Sequence, residues 1–164
     1  LYSVNKPVIG SSDKPLNEQT PAPGSELSAG ALRQTLSRLD LHNKRVLLLG
    51  GVPRPNRNIN ECAFNELSSL LRAKCALPYE YLDAIQVREW QSPSDQVLEK
   101  VALDFAQVEA LLPTSSRCDD AKCPTYLNGE LLYKDANHLR RNLQVETQRE
   151  LAAKIGLTGF LDSH

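Results

Sequence analysis

Arg45-Val46-Leu47-Leu48-Leu49-Gly50-Gly51-Val52-Pro53 decides how the chain is read. Four apolar residues in a row, followed by two glycines and Val52, show no alternation of inside and outside. The run is far shorter than the roughly 18 residues that a bilayer span needs. A continuous apolar run of this length reads as a fully buried strand over Arg45 to Val52. Upstream, Ser28 is a suitable N-cap, and Ala31, Leu32, Leu36 and Leu39 recur at helical spacing. His42-Asn43-Lys44 breaks that helix just before the strand. Helix, turn and buried strand in this order is the pattern of a crossover in a parallel sheet, so the class is α/β.

Working outward, residues 1–27 are rich in Pro, Ser, Gly, Asn and Lys and read as an extended or loop segment. The folded part is expected over 28–164. Pro53-Arg54-Pro55-Asn56 ends the strand. Glu61 to Lys74 resumes helical spacing through Phe64, Leu67, Leu70 and Leu71. Further helices are expected from about Pro78 into the 80s, and from Pro93 or Ser94 with Val97, Val101 and Phe105 on one face. Val108 to Leu112 is a second strand or a continuation of that helix. Cys118 to Gly129 reads as polar loop, Asn128-Gly129 as a turn, and Glu130 to Tyr133 as a short extended piece. From His138 the spacing of Leu139, Leu143, Val145, Leu151 and Ile155 predicts an amphipathic helix ending at Gly156. That would place Arg140 and Arg141 on its exposed face. Trp90 reads as a packing residue. Two core strands are fewer than a doubly wound sheet requires. Residue 1 is Leu and the chain of 164 residues has no Met, so a piece of a longer protein is expected.

Apolar content of 41% and charged content of 24% suit a soluble globular fold, and a net charge of -1 gives no electrostatic reason to bind nucleic acid. The four cysteines, Cys62, Cys75, Cys118 and Cys123, are an even set, which suits disulfides in an oxidising compartment. Cys118-Asp119-Asp120-Ala121-Lys122-Cys123 is polar and short enough to close as a loop. The alternative is zinc, but Cys62 and Cys75 lie far upstream at another spacing, and only His138 is near enough to complete a set. Spacing therefore favours disulfides. Cys62 and Cys75 pair only if the segment between them is not one straight helix, which would hold them about 20 Å apart.

The chemistry concentrates in Tyr133-Lys134-Asp135-Ala136-Asn137-His138-Leu139. An Asp three residues before a His lets one turn hold a carboxylate against an imidazole, fixing its tautomer and leaving the other ring nitrogen to accept a proton from a hydroxyl. Asn56, Arg57, Asn58 and Asn60 follow the strand, where α/β sheets place binding crevices, and they suit sugar contacts or plain solvated turns.

These pieces in order resemble one family. Leu47 to Pro55, then Cys62, then Cys118 and Cys123, then Asn128-Gly129-Glu130 through Leu139, look like the C-terminal half of an SGNH domain. The likeness is greatest to the SGNH domain fused to acyltransferase-3 membrane proteins that O-acetylate bacterial surface polysaccharides, and it covers roughly residues 28 to 156. It implies a flavodoxin-like three-layer α/β/α fold, here without its first strand or strands. By that match Asp135 and His138 are the acid and base of a Ser-His-Asp triad. The resemblance further implies a seryl acyl-enzyme and an oxyanion hole built from the Ser backbone, a Gly and an Asn. The partners it implies are a saccharide acceptor and an acyl donor, supplied through a membrane acyltransferase domain. The compartment it implies is the periplasm, with tethering to the inner membrane, and no cofactor. The family's Gly-Asp-Ser block has no counterpart in residues 1–44, where Gly10-Ser11-Ser12-Asp13 runs in another order. Asn5 carries no role, and Leu161-Asp162-Ser163-His164 matches by letters alone, without a strand before it. The chain alone is therefore expected to be inactive. The alternative class is a non-catalytic periplasmic glycan-binding or interaction module on the same fold.

Overall fold

The computed structural model describes residues 7–9, 21–55, 59–60 and 80–162. Cys62, Cys75, Asn56, Arg57, Asn58, Ser163, His164 and the helix expected over Glu61 to Lys74 lie outside them. The described residues fall into two compact units. Helices and small sheets make it a mixed α/β protein.

The first unit comprises residues 1–50 and 92–110. Strand β1 (Pro7–Ile9) pairs antiparallel with β2 (Pro21–Pro23), Val8 facing Ala22. Pro21 and Pro23 bring no N–H to this ladder, which keeps it short. Helix α1 (Gly24–Ser37) follows β2 without a break, so it starts four residues before the expected cap at Ser28. Glu26 lies in its first turn, where a carboxylate complements the positive end of the helix dipole. Ala29, Leu32 and Leu36 then form one inward stripe. Asn43 adopts φ 55° in the turn that precedes β3 (Val46–Leu49). This is shorter and less buried than the strand expected over Arg45 to Val52: Val46 to Leu48 are half-buried and Leu49 is 52% exposed. Among the described residues β3 has one partner, β5 (Val108–Leu111), so neighbours cover it less than they would a central strand. The guanidinium of Arg45 on β3 is ion-paired with Glu109 on β5. Ala29, Leu36, Val97, Val101 and Val108 make the core of this unit, with Phe105 packed against it.

Helix α2 (Ala84–Ala102) replaces the two helices expected on either side of Pro93. Proline inside a helix forfeits one main-chain bond and costs about 3 kcal/mol. Burial on both sides offsets that: Ala84, Val87 and Gln91 before it, Val97 and Val101 after it. Trp90, expected to pack, is 54% exposed.

Asp95 on this helix is buried with no ion-pair partner among the described residues, and Glu99 follows one turn later. Burial first, and the Glu99 charge second, push its carboxyl up to about 6. A carboxyl whose folded value is raised contributes fully below its ordinary value near 3.8. That contribution is lost as pH rises through about 6. Asp95→Asn is therefore expected to stabilise the protein by about 1–2 kcal/mol at neutral pH, solvent screening included. At about pH 4 the gain should vanish. Urea unfolding at the two pH values checks this.

The second unit comprises residues 51–91 and 111–164. Strand β4 (Tyr81–Asp83) pairs antiparallel with β6 (Lys122–Pro124), Leu82 facing Cys123. Asp83 then caps α2, its Oδ1 accepting the N–H groups of Ile85 at 2.9 Å and Gln86 at 3.1 Å. A short helix α3 (Pro113–Arg117) leads to a disulfide between Cys118 and Cys123. The loop between the two cysteines is self-capped: Asp119 Oδ1 accepts N–H groups from Ala121 and Lys122 at 2.8 and 2.6 Å. The segment expected as loop from Cys118 to Gly129 thus contains β6 and also β7 (Tyr126–Leu127).

The Asn128-Gly129 turn forms as expected. Both residues take positive φ, 52° and 75°, and connect β7 to β8 (Glu130–Leu131). Helix α4 (Val145–Lys154) ends at Gly156, φ 84°, and α5 (Leu157–Asp162) follows. No helix among the described residues is long and apolar enough to cross a membrane.

The helix expected from His138 begins seven residues later, at Val145. The intervening stretch is held by strand-type contacts instead. Leu139 bridges Tyr133 and Arg140 N–H bonds Leu132. Leu143 is anchored in the core with Leu131, Leu132, Tyr133 and Leu151.

Candidate functional site

The Asp-His block sits at the tip of a loop whose base is fixed twice over. Leu131, Leu132 and Tyr133 are all but fully buried. Lys134 N–H donates to the His138 carbonyl, and Arg140 N–H to the Leu132 carbonyl, both at 2.8 Å. Tyr133 also reaches across the unit to donate its hydroxyl to the Pro53 carbonyl at 2.6 Å. The Val-Pro exit of β3 and the Asp-His loop are thereby tied side chain to main chain. Burial pushes the Tyr133 phenol well above its usual range, so it remains a donor. Tyr133→Phe is expected to cost about 1–2 kcal/mol, because it leaves a buried carbonyl unpaired. Chemical denaturation checks the figure.

Within the loop, Asp135 Oδ1 accepts the N–H groups of Asn137 at 2.7 Å and His138 at 2.9 Å. This turn folds the chain so that the imidazole returns onto the same carboxylate. His138 Nδ1 lies 2.9 Å from both Oδ1 and Oδ2. The Asn137 N–H first, and the His138 ring second, hold the Asp135 carboxyl below the usual carboxylate range. Its stabilising contribution is therefore present above its ordinary value and lost only as pH falls through the depressed one. The other ring nitrogen, Nε2, has no hydrogen-bond partner among the described residues. The His138 side chain is 72% exposed and that of Asp135 36%. A carboxylate on one ring nitrogen and open space at the other is what a general base requires.

Two further features, the arginines beside the loop and Arg117, were not legible as site components. Arg140 and Arg141 are not on a helix. With Lys134, Asn142 and Asn60 they line a groove of about 440 Å³ along the flanks of the loop. The signal lay in the sequence, as cations immediately on either side of the Asp-His block. The Asn60 amide donates to the Lys134 carbonyl, bringing one of the asparagines that follow the Val-Pro strand to this loop. Arg117 is buried and donates from Nη2 to the Pro124 carbonyl at 2.8 Å. Burial lowers its pKa while Tyr133 and Glu150 raise it. No cluster among the described residues offers three His, Cys, Asp or Glu groups to a metal ion.

A carboxylate paired with an imidazole is one arrangement by which hydrolases and acyltransferases can activate a hydroxyl. The family model described as "SGNH domain (fused to AT3 domains)" matches residues 3–142, and the chain belongs to that family. No curated protein and no solved structure matches the chain with significance. Membership points to hydrolase or acyltransferase chemistry and to fusion with acyltransferase-3 domains.

Proposed function

We propose that Asp135 and His138 are the acid and base of a serine-dependent acyl-ester site acting on a bacterial surface polysaccharide in the periplasm. The observation that carries this reading is the imidazole held at Nδ1 by an ionised carboxylate while Nε2 stays open. In the first half-reaction Nε2 takes the proton of a seryl hydroxyl contributed from outside the described residues. The seryl oxygen bonds to the acyl carbon. The imidazolium then returns the proton to the departing group as its bond to that carbon breaks. In the second half-reaction Nε2 deprotonates a sugar hydroxyl or a water, whose oxygen bonds to the acyl carbon; the imidazolium returns the proton to the seryl oxygen as the acyl–oxygen bond to serine breaks. Asp135 offsets the positive charge that the ring carries in both halves. Fusion to acyltransferase-3 domains supports delivery of the acetyl group from a membrane donor, with the inner membrane as the tether. The Cys118–Cys123 disulfide supports an oxidising compartment. A three-layer flavodoxin-like arrangement, completed by strands outside the described ones, is part of the same proposal.

The test uses the intact protein with p-nitrophenyl acetate as donor and a surface-polysaccharide oligosaccharide as acceptor. Release of p-nitrophenol with acetyl on the oligosaccharide supports transfer. Release with free acetate supports the esterase form. No release beyond the buffer rate sinks the reading and leaves a glycan-binding module.

A further inference from the structure

The groove beside the Asp-His loop carries a charge pattern that ester chemistry does not need. Among the described residues its lining comprises three cations, Lys134, Arg140 and Arg141, and two amides, Asn60 and Asn142, and no carboxylate. The chain as a whole has a net charge of -1, so this cluster does not follow from a basic background. The side chains of Lys134 and Arg141 have no carboxylate partner among the described residues. The nearest carboxylate in sequence, Asp135, is engaged by the His138 ring and the Asn137 N–H. Like charges this close repel one another, and on an open surface they are usually interleaved with acids. The volume of about 440 Å³ is within the range of small-ligand sites.

We infer that this groove is an oxyanion subsite, which positions a carboxylate or phosphate of the substrate so that the reacting group lies at His138 Nε2. The location next to the reacting centre rests on the proposed acyl-ester reading; the anion binding itself does not. The main-chain bonds from Lys134 to His138 and from Arg140 to Leu132 fix the backbone that carries Lys134 and Arg140 on either side of the Asp-His turn. An anion held by the flanks of the loop is therefore brought to the neighbourhood of the base, which is how remote binding raises the rate at a reacting atom. Two sources carry this chemistry: an acidic sugar of the acceptor, or the phosphate of an acyl donor.

Isothermal titration calorimetry on the intact protein separates them, with sodium glucuronate, inorganic phosphate and glucose as the three probes. Binding of glucuronate alone assigns the groove to an acidic acceptor, and binding of phosphate alone assigns it to the donor. Binding of both assigns it to oxyanions generally. In each case the Lys134→Gln/Arg141→Gln variant should bind at least about tenfold more weakly, the loss of two charge-assisted contacts at an exposed site. Arg149→Gln, which removes a cation from α4 outside the groove, should bind as the parent does and controls for general charge. Both glutamine substitutions are at exposed positions, and a thermal melt of each confirms the fold. No heat with either anion, or anion binding that the double variant retains, overturns the inference. Neither result touches the ester-cleavage assay, so the two readings fail independently.

Discussion

His138→Ala in the intact protein should lower kcat/KM for acetyl esters by on the order of 10⁴-fold, and Asp135→Asn by about 10²–10⁴-fold. The histidine is the only described proton acceptor that the loop presents with a free nitrogen, so its removal eliminates the base outright. Asparagine at 135 is the more informative change. It keeps an oxygen to accept the N–H groups of Asn137 and His138, so the turn survives. It loses the charge and sets an amide donor against His138 Nδ1. The ring then places its proton on Nε2 and has no lone pair left for a hydroxyl. Asp135→Ala removes the turn as well and should melt at a lower temperature than the asparagine variant while being no more active. In the proposed triad the two residues act as one unit, so the double variant should be barely worse than His138→Ala. Steady-state hydrolysis of p-nitrophenyl acetate by all four proteins checks the series. Additive losses would show that the two side chains act separately.

The Cys118→Ser/Cys123→Ser variant should be less stable by about 3–4 kcal/mol, which for a chain of this size lowers Tm by roughly 10 °C. Closing so short a loop accounts for about 2 kcal/mol on the chain-entropy view. The remainder comes from position 123, which is fully buried opposite Leu82, where a serine hydroxyl is removed from water. The consequence reaches beyond the loop. Arg88 of α2 bonds the carbonyls of Asp119 and Asp120 at 2.7 and 3.3 Å, and Ala84 N–H bonds that of Ala121 at 3.0 Å. A loosened loop should therefore weaken the start of α2 together with the β4–β6 pair. Circular dichroism melts with and without reductant measure the effect. A shift under about 1 °C would mean that the self-capped turn holds the loop without the sulfurs.

The contact between Asp135 and His138 was legible because it is local. Asp135 and His138 meet through one turn, and a turn is encoded by residues three apart. The Asn128-Gly129 hairpin and the Gly156 helix end were legible for the same reason: few other residues take a positive φ at low cost. What the sequence misplaced depends on distant partners. Leu139 and Leu143 have helical spacing with Leu151 and Ile155, yet Leu139 bridges Tyr133, a contact no periodicity reports. Pro93 reads as a helix boundary, but buried side chains on both sides keep α2 continuous. The apolar run Val46 to Leu49 looks like a central strand, and burial depends on how many neighbours flank it. The groove went unread because Arg140 and Arg141 were assigned to a helix face. Once the helix starts at Val145, the same residues flank the site.

The most direct test of the account is the tautomer of His138, read from long-range ¹H–¹⁵N correlation spectra of the neutral ring. The geometry predicts the proton on Nδ1, held by Asp135, with Nε2 unprotonated and open to solvent, and a switch to Nε2–H in Asp135→Asn. A parent protein already in the Nε2–H form, with spectra unchanged by the substitution, would contradict it.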